Sequence, residues 1–366
     1  MKSFLWIFNF NAGLHMFTST IKGPLCNFSD TQNFAPWFCA APRDKHLNCS
    51  HLRTYHTNVN GLVKALESCL HNTVDKMLLV RSRKMVDHTI GTLQIMPATD
   101  KDHHSILNNL TRHLPYCKAN GPPLIRTNGY YYADKWIPFS CKVRVFSKTE
   151  IKRCLAGKTL HFFGDSTARQ FYEFLQEEIG CEDIGLPPPR ITSTREFRCS
   201  IDQIILHFHF HGLPNGQNKP IPSWSNHYVA SEIDNLKGGP DTIIFLSLWA
   251  HFSMTGLPFY EGRMRSIRES LHRLQTRSNG TSVFVKGVNT RDYWKKQFIL
   301  VSSDWHSLKQ EQKLRELFQN DTNFGYIDSW EITNVQPFPD QTHPERIIIE
   351  NLVNRLMTFI CIKENF

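Results

Sequence analysis

From Ser147 onward the chain alternates between short apolar runs and stretches in which apolar residues return at intervals of three and four. Leu160–Phe163, Ile204–His211, Asp241–Leu248, Ser282–Val288 and Phe324–Asp328 are the short runs, and they predict strands. Asp241–Leu248 is apolar almost throughout, as a strand buried on both faces should be. Between them lie Ser147–Leu155, then Phe171, Phe174, Leu175 and Ile179, then Met264, Ile267, Leu271 and Leu274. Leu308, Leu314, Leu317 and Phe318 follow, and finally Ile348, Leu352, Leu356 and Phe359. Each set falls on one helical stripe, so helices separate the strands.

Strands alternating with helices imply an α/β fold: a three-layer, doubly wound sheet of flavodoxin type with its site at the carboxyl ends of the strands. The text upstream is different. Met1–Phe17 opens with Lys2 and the apolar Phe4–Phe8, but Asn9 and Asn11 interrupt it, so it reads as a weak leader. Stable membrane insertion is not expected, because no other stretch is long enough to span a bilayer. Residues 50–115 say little: Leu62–Leu70 suits a helix, Lys76–Ile95 an extended pair, and Arg81, Arg83 and Lys84 a solvated face. Pro187-Pro188-Pro189 marks a loop. The expected organisation is a cysteine-rich segment over 1–60, a linker region over 61–125 and the α/β domain over 126–366.

Composition narrows the setting. Hydrophobic residues make up 40% of the 366 and aromatics 12%, enough for a sizeable core. The ten cysteines include no close Cys-x-x-Cys pairing, and nine precede residue 200, so several disulfides explain them better than zinc does. Their connectivity is not legible. Asn27, Asn48, Asn109, Asn279 and Asn320 each begin an Asn-x-Ser/Thr triplet without a central proline, so they are candidate glycosylation sites. Together these place the chain in the secretory pathway, in the Golgi lumen or secreted. The net charge of +9 is dispersed. In a lumenal compartment no nucleic-acid partner is expected; an anionic glycan or acyl donor suits it, as does a merely basic surface.

The chemistry gathers at two places. Leu160-His161-Phe162-Phe163-Gly164-Asp165-Ser166 ends a strand at a tight turn and places Ser166 at a helix N-terminus, where backbone N–H groups favour an anion beside its hydroxyl. Taken singly, Asp165 or Ser166 would be an ordinary N-cap. Asp340-Gln341-Thr342-His343-Pro344 precedes the last helix, Pro344 fitting its first position. One turn there could present a base, His343, with a carboxylate, Asp340, to orient it. Ser166, Asp340 and His343 are therefore the candidate catalytic residues. His207, His209 and His211 fall on one face of a strand. No nearby carboxylate completes a zinc set and a catalytic zinc would make the serine turn redundant, so they are expected to be strand residues near the cleft, with no metal.

The cysteines around Cys26-Asn27-Phe28-Ser29, Pro36-Trp37-Phe38-Cys39 and Asn48-Cys49-Ser50 resemble the closing segment of neurexophilins, without the immunoglobulin-like sandwich that precedes it there. Residues from Asn128-Gly129-Tyr130-Tyr131-Tyr132 through Trp136-Ile137-Pro138 and Gly157-Lys158 to the Gly-Asp-Ser turn resemble the PC-esterase domain. The chain is thus similar to the neurexophilin and PC-esterase domain family, with an SGNH-type PC-esterase fold and a small disulfide-tied N-terminal appendage. That resemblance implies an oxyanion hole from the N–H groups of Ser166 and Gly212. Trp249-Ala250-His251 stands where the SGNH pattern has an asparagine donor, so His251 is a candidate third donor and Trp249 a candidate substrate contact. Arg169, resembling the family's arginine after Gly-Asp-Ser, is assigned to substrate or donor binding, with a salt bridge to Glu173 as the equal alternative. The implied function is a lumenal glycan O-acetyltransferase working through an acyl-serine. Its acceptor would be sialic acid on mucin-type chains and its donor acetyl-CoA, with no bound cofactor. An O-acetyl esterase shares every part, and a secreted binding glycoprotein with a vestigial triad is the reading from another class.

Overall fold

A computed structural model describes residues 10–13, 21–56, 111–119, 128–184, 196–214, 221–222, 227–253, 255–291, 302–336 and 342–361. Four short strands lie in the N-terminal part: β1 (Phe10–Gly13), β2 (Leu25–Asn27), β3 (Phe38–Ala40) and β4 (Leu52–His56). A hairpin of β5 (Gly129–Tyr132) and β6 (Lys135–Pro138) leads to α1 (Lys148–Leu155), β7 (Thr159–Gly164) and α2 (Ser166–Ile179). Then come β8 (Phe197–Ile201), β9 (Ile204–Phe210), the two-residue β10 (Ile221–Pro222), α3 (Val229–Asn235) and β11 (Thr242–Ser247). The chain closes with α4 (Leu257–Arg277), β12 (Ser282–Lys286), α5 (Asp304–Phe318), β13 (Gly325–Ile327), α6 (Trp330–Asn334) and α7 (Arg346–Cys361). The helix and extended pair expected within 62–95 lie outside the described residues.

The central sheet has the order β13-β12-β11-β7-β9-β8. All its pairings are parallel except that of the edge strand β8 with β9. Counting only the parallel strands, the first sits between the second and third, the flavodoxin-type order. The direction of winding reverses between β7 and β11, and folds of this order carry their site there, at the carboxyl ends of the strands.

Period-two burial separates the two faces. Leu160 and Phe162 of β7, Phe208 of β9 and Phe245 of β11 pack with Phe171 and Leu175 of α2 and Leu352 and Leu356 of α7. Phe163, Ile244, Leu246 and Val285 point the other way, against Ile233 of α3, Met264 and Leu271 of α4 and Leu314 of α5. The apolar stripes read from the sequence are the buried faces of these helices. Not anticipated were the β5–β6 hairpin, helices α3 and α6, the antiparallel edge strand β8, and the start of α7 at Arg346, two residues beyond Pro344.

The cysteine-rich segment packs onto the domain. Ala35, Trp37 and Tyr55 join the core on the α4 side, Asn33 Nδ2 donates to Ser231 Oγ at 2.8 Å, and the Trp37 ring meets Phe259 edge-on. Cys26–Cys49 ties this segment, Cys117–Cys141 the chain before β5 to that just past β6, and Cys181–Cys199 the end of α2 to β8. Cys39 is buried and carries no disulfide among the described residues.

Cys154–Cys361 joins the ends of α1 and α7 across 207 residues. A closure of that length restricts the unfolded chain strongly, and native bridges of this kind are worth about 2–5 kcal/mol. Replacing both cysteines with serine is therefore expected to lower the unfolding free energy by about that amount. Denaturant titration checks it, and an unchanged midpoint would refute a stabilising role.

Candidate active site

β7 ends at Gly164, where a Cβ would lie 1.8 Å from the Ser247 carbonyl oxygen; the turn and β11 approach too closely for any side chain. Asp165 is the N-cap of α2 and is fully buried. Its Oδ1 accepts from the Thr167 N–H at 2.8 Å and the Thr167 hydroxyl at 2.6 Å. Its Oδ2 accepts from the N–H groups of Trp249 (3.0 Å) and Ala250 (2.7 Å) in the turn after β11. Burial opposes its charge, but nearby His251, the Thr167 bond and the Trp249 N–H outweigh it and hold the carboxyl below its ordinary range. Asp165 thus welds the serine turn to the neighbouring strand end.

Ser166 follows as the first residue of α2, and its Oγ lies 2.6 Å from His343 Nε2. The two residues are 177 positions apart in sequence. Among the described residues, a bond on each flank holds the His343 loop. Gln170 Nε2, one turn into α2, donates to the Pro344 carbonyl at 3.1 Å, and Asn289 Nδ2, just past β12, donates to the Thr342 carbonyl at 3.3 Å. Asn289 Oδ1 in turn accepts from the buried Lys286 Nζ at 3.0 Å. Burial pulls that amine down to about 8, against the pull of Asp165 and Glu311.

His343 titrates below its ordinary 6.5, first because of burial and then because Arg169 and Arg291 lie near, while Asp165 and Glu173 act the other way. A depressed imidazole pKa leaves the ring neutral at neutral pH, and in the tautomer protonated at Nδ1 its Nε2 accepts the hydroxyl proton. The acid limb of any Ser166-dependent activity is therefore expected below pH 6.5, with activity lost as the pH falls through the His343 pKa and the ring becomes charged. A kcat/KM profile checks this; a limb at or above 6.5 would contradict it.

The remaining sequence-derived candidates are placed as follows. Asp340 lies outside the described residues. The His211 N–H donates to the Gly164 carbonyl at 3.1 Å, which brings Gly212 to the sheet edge beside the serine turn. His251 Nδ1 lies 2.7 Å from His211 Nε2, so one nitrogen of His251 is engaged by its neighbour. Trp249 is fully buried with its N–H on Asp165, which puts its side chain in the core instead of on a cleft wall. Arg169 makes the ion pair with Glu173, 3.1 Å from Nε to Oε1. The three histidines divide: His207 and His209 lie in β9 beside His161 of β7, whereas His211 is past the strand end with His251. Asn27, Asn48, Asn279 and Asn320 are exposed, and Asn109 lies outside the described residues.

Sequence reasoning missed Gln170, Lys286, Asn289 and Arg291. Asn289 stood one residue past a predicted apolar strand, on the edge where the site was expected, and that position was the available signal. Asn289→Ala is expected to release Thr342 and lower kcat about tenfold, about 1.4 kcal/mol, with KM little changed. Steady-state kinetics decide, and an unaltered kcat would show that the loop needs no such tether.

The fold and this pair define a doubly wound α/β protein with a hydrogen-bonded serine and histidine at the switch point of its sheet. Residues 136–361, more than half of the chain, match the model of the NXPE family member 4-like, C-terminal domain. The chain belongs to the NXPE family, a membership that relates it to PC-esterase-type acyltransferases and esterases.

Proposed function

We propose that this protein is a lumenal glycan O-acetyltransferase of the SGNH/PC-esterase type that works through an acyl-serine. The observation that carries the reading is the 2.6 Å approach of Ser166 Oγ to His343 Nε2. In the first half-reaction Nε2 takes the Ser166 proton while Oγ bonds to the acetyl carbonyl carbon of a thioester such as acetyl-CoA. The carbon–sulfur bond breaks, and the imidazolium returns its proton to the leaving thiolate. In the second, a sugar hydroxyl gives its proton to Nε2, attacks the acyl carbon and displaces Oγ, which recovers the proton. The tetrahedral oxyanion is assigned to the N–H groups of Ser166, at the start of α2, and Gly212, with His251 as a further donor. Asp340 is assigned to orient the ring of His343.

Arg169 and Arg291 stand near His343 together with the acidic Asp165 and Glu173; an anionic donor or a sialylated acceptor is assigned to the two arginines. Four disulfides among the described residues suit an oxidising compartment, Golgi or extracellular. No described helix is long and apolar enough to cross a membrane.

Incubation with labelled acetyl-CoA and sialylated mucin tests the assignment. Label on the glycan supports transfer, and free acetate without glycan label makes the protein an O-acetyl esterase. A fluorophosphonate probe that leaves Ser166 unmodified, together with neither product, would leave a binding glycoprotein.

A further inference from the structure

A second cluster of side chains lies on the opposite face of the sheet from α2. β7 and β9 pair in parallel with His161 opposite His207 and Phe163 opposite His209. The ring centroids of His207 and His209 are 3.7 Å apart, and that of His161 lies 5.1 Å from His209 and 5.7 Å from His207. His161 Nδ1 is 2.9 Å from His209 Nε2, and one nitrogen from each of the three rings falls within 4.8 Å of the others. Ligand nitrogens around a tetrahedral zinc, at bond lengths of about 2.0–2.1 Å, stand about 3.4 Å apart. The 2.9 Å separation is shorter than that and the others do not exceed 4.8 Å, so binding would require the rings to turn.

A carboxylate stands outside the cluster, at ion-pair distance from His209 without a hydrogen bond to it. The far nitrogen of His209, Nδ1, lies 3.5 Å from Glu232 Oε2 on α3, and the other oxygen of that carboxylate is 3.1 Å from His227 Nδ1. A ligating histidine turns one nitrogen to the metal and gives its other N–H to a carboxylate, which fixes tautomer and ring angle. Phe163 stacks on His209 at 4.3 Å and closes the apolar side.

We propose that His161, His207 and His209 bind a transition-metal dication of the zinc class, with Glu232 orienting His209 from outside the coordination sphere. Three protein nitrogens leave one tetrahedral position for a solvent oxygen or an anion. The ion would clamp β7 to β9 beneath α3. It does not depend on the acyl-transfer reading, since Ser166 and His343 lie at the strand ends and use none of these groups.

The test is zinc content of the secreted full chain, equilibrated with Zn²⁺ and dialysed against metal-free buffer. About one zinc per chain is expected in the wild type and almost none in His161→Gln or His207→Gln. Glu232→Gln should weaken zinc binding by about 10–100-fold. If a variant fails to fold, Co²⁺ titration of the wild type decides. Strong visible absorption of a tetrahedral, nitrogen-rich site supports the proposal, and the weak spectrum of octahedral Co²⁺ overturns it. It is equally overturned if the wild type retains no zinc, or if both histidine variants fold and keep the wild-type amount.

Discussion

Alanine at Ser166 is expected to reduce kcat by about 10⁴-fold or more, since removal of a nucleophile that works as a unit with its base forfeits the whole covalent route. His343→Ala should cost about as much, and the double variant little more than either, because each single change already disables the same proton transfer. Stability should be unaffected by the serine change. Ser166 is half-exposed, and the cap of α2 is supplied by Asp165. Acetate release or glycan acetylation gives the rates, and thermal unfolding gives the control. Wild-type turnover in Ser166→Ala would remove the acyl-serine from the account, and strictly additive losses would show that the two residues act in separate steps.

Asp165→Ala should be the most damaging change to stability near the site. It strips the acceptor from the N–H groups of Thr167, Trp249 and Ala250, all buried residues that no longer reach water. Each buried donor left without a partner costs about 1–3 kcal/mol. Allowing for partial relaxation, the loss should be about 4 kcal/mol, or about 5 °C in Tm for a chain of this size. Thr167 Oγ1 would keep its contact with Ser247 Oγ at 2.8 Å, so the helix start survives in part. Asp165→Asn, which retains one acceptor oxygen, should fall between wild type and alanine. Equal stability for all three would mean that the serine turn is held by its backbone alone, chiefly through the close approach at Gly164.

Much of this molecule was legible before its structure. A strand buried on both faces must be a nearly continuous apolar run, and a helix on a sheet must show a stripe; β11 and α2 obey those demands and were read from them. The edge strand β8 was not, because Phe197–Ile201 is exposed or half-exposed at four of its five positions and resembles a loop in composition. Trp249 was misplaced for a related reason. Its sequence position beyond a strand end suggested a cleft, but its neighbour Asp165 draws the backbone inward and carries the indole with it. The two flanking tethers of His343, Gln170 and Asn289, are bonds to backbone carbonyls, and such bonds carry no side-chain pattern for a sequence to reveal.

Local chemistry alone determined the strand–turn–helix around Ser166, the helical stripes and a cysteine usage suited to disulfides, since propensity, periodicity and cysteine usage act within short windows of chain. Only tertiary structure decided which cysteines join, that His207 and His209 turn to His161 while His211 turns to His251, and that Ser166 meets His343. Those partners are as much as 207 residues apart. What brings them together is the strand order of the sheet, set by long-range burial that no local segment encodes.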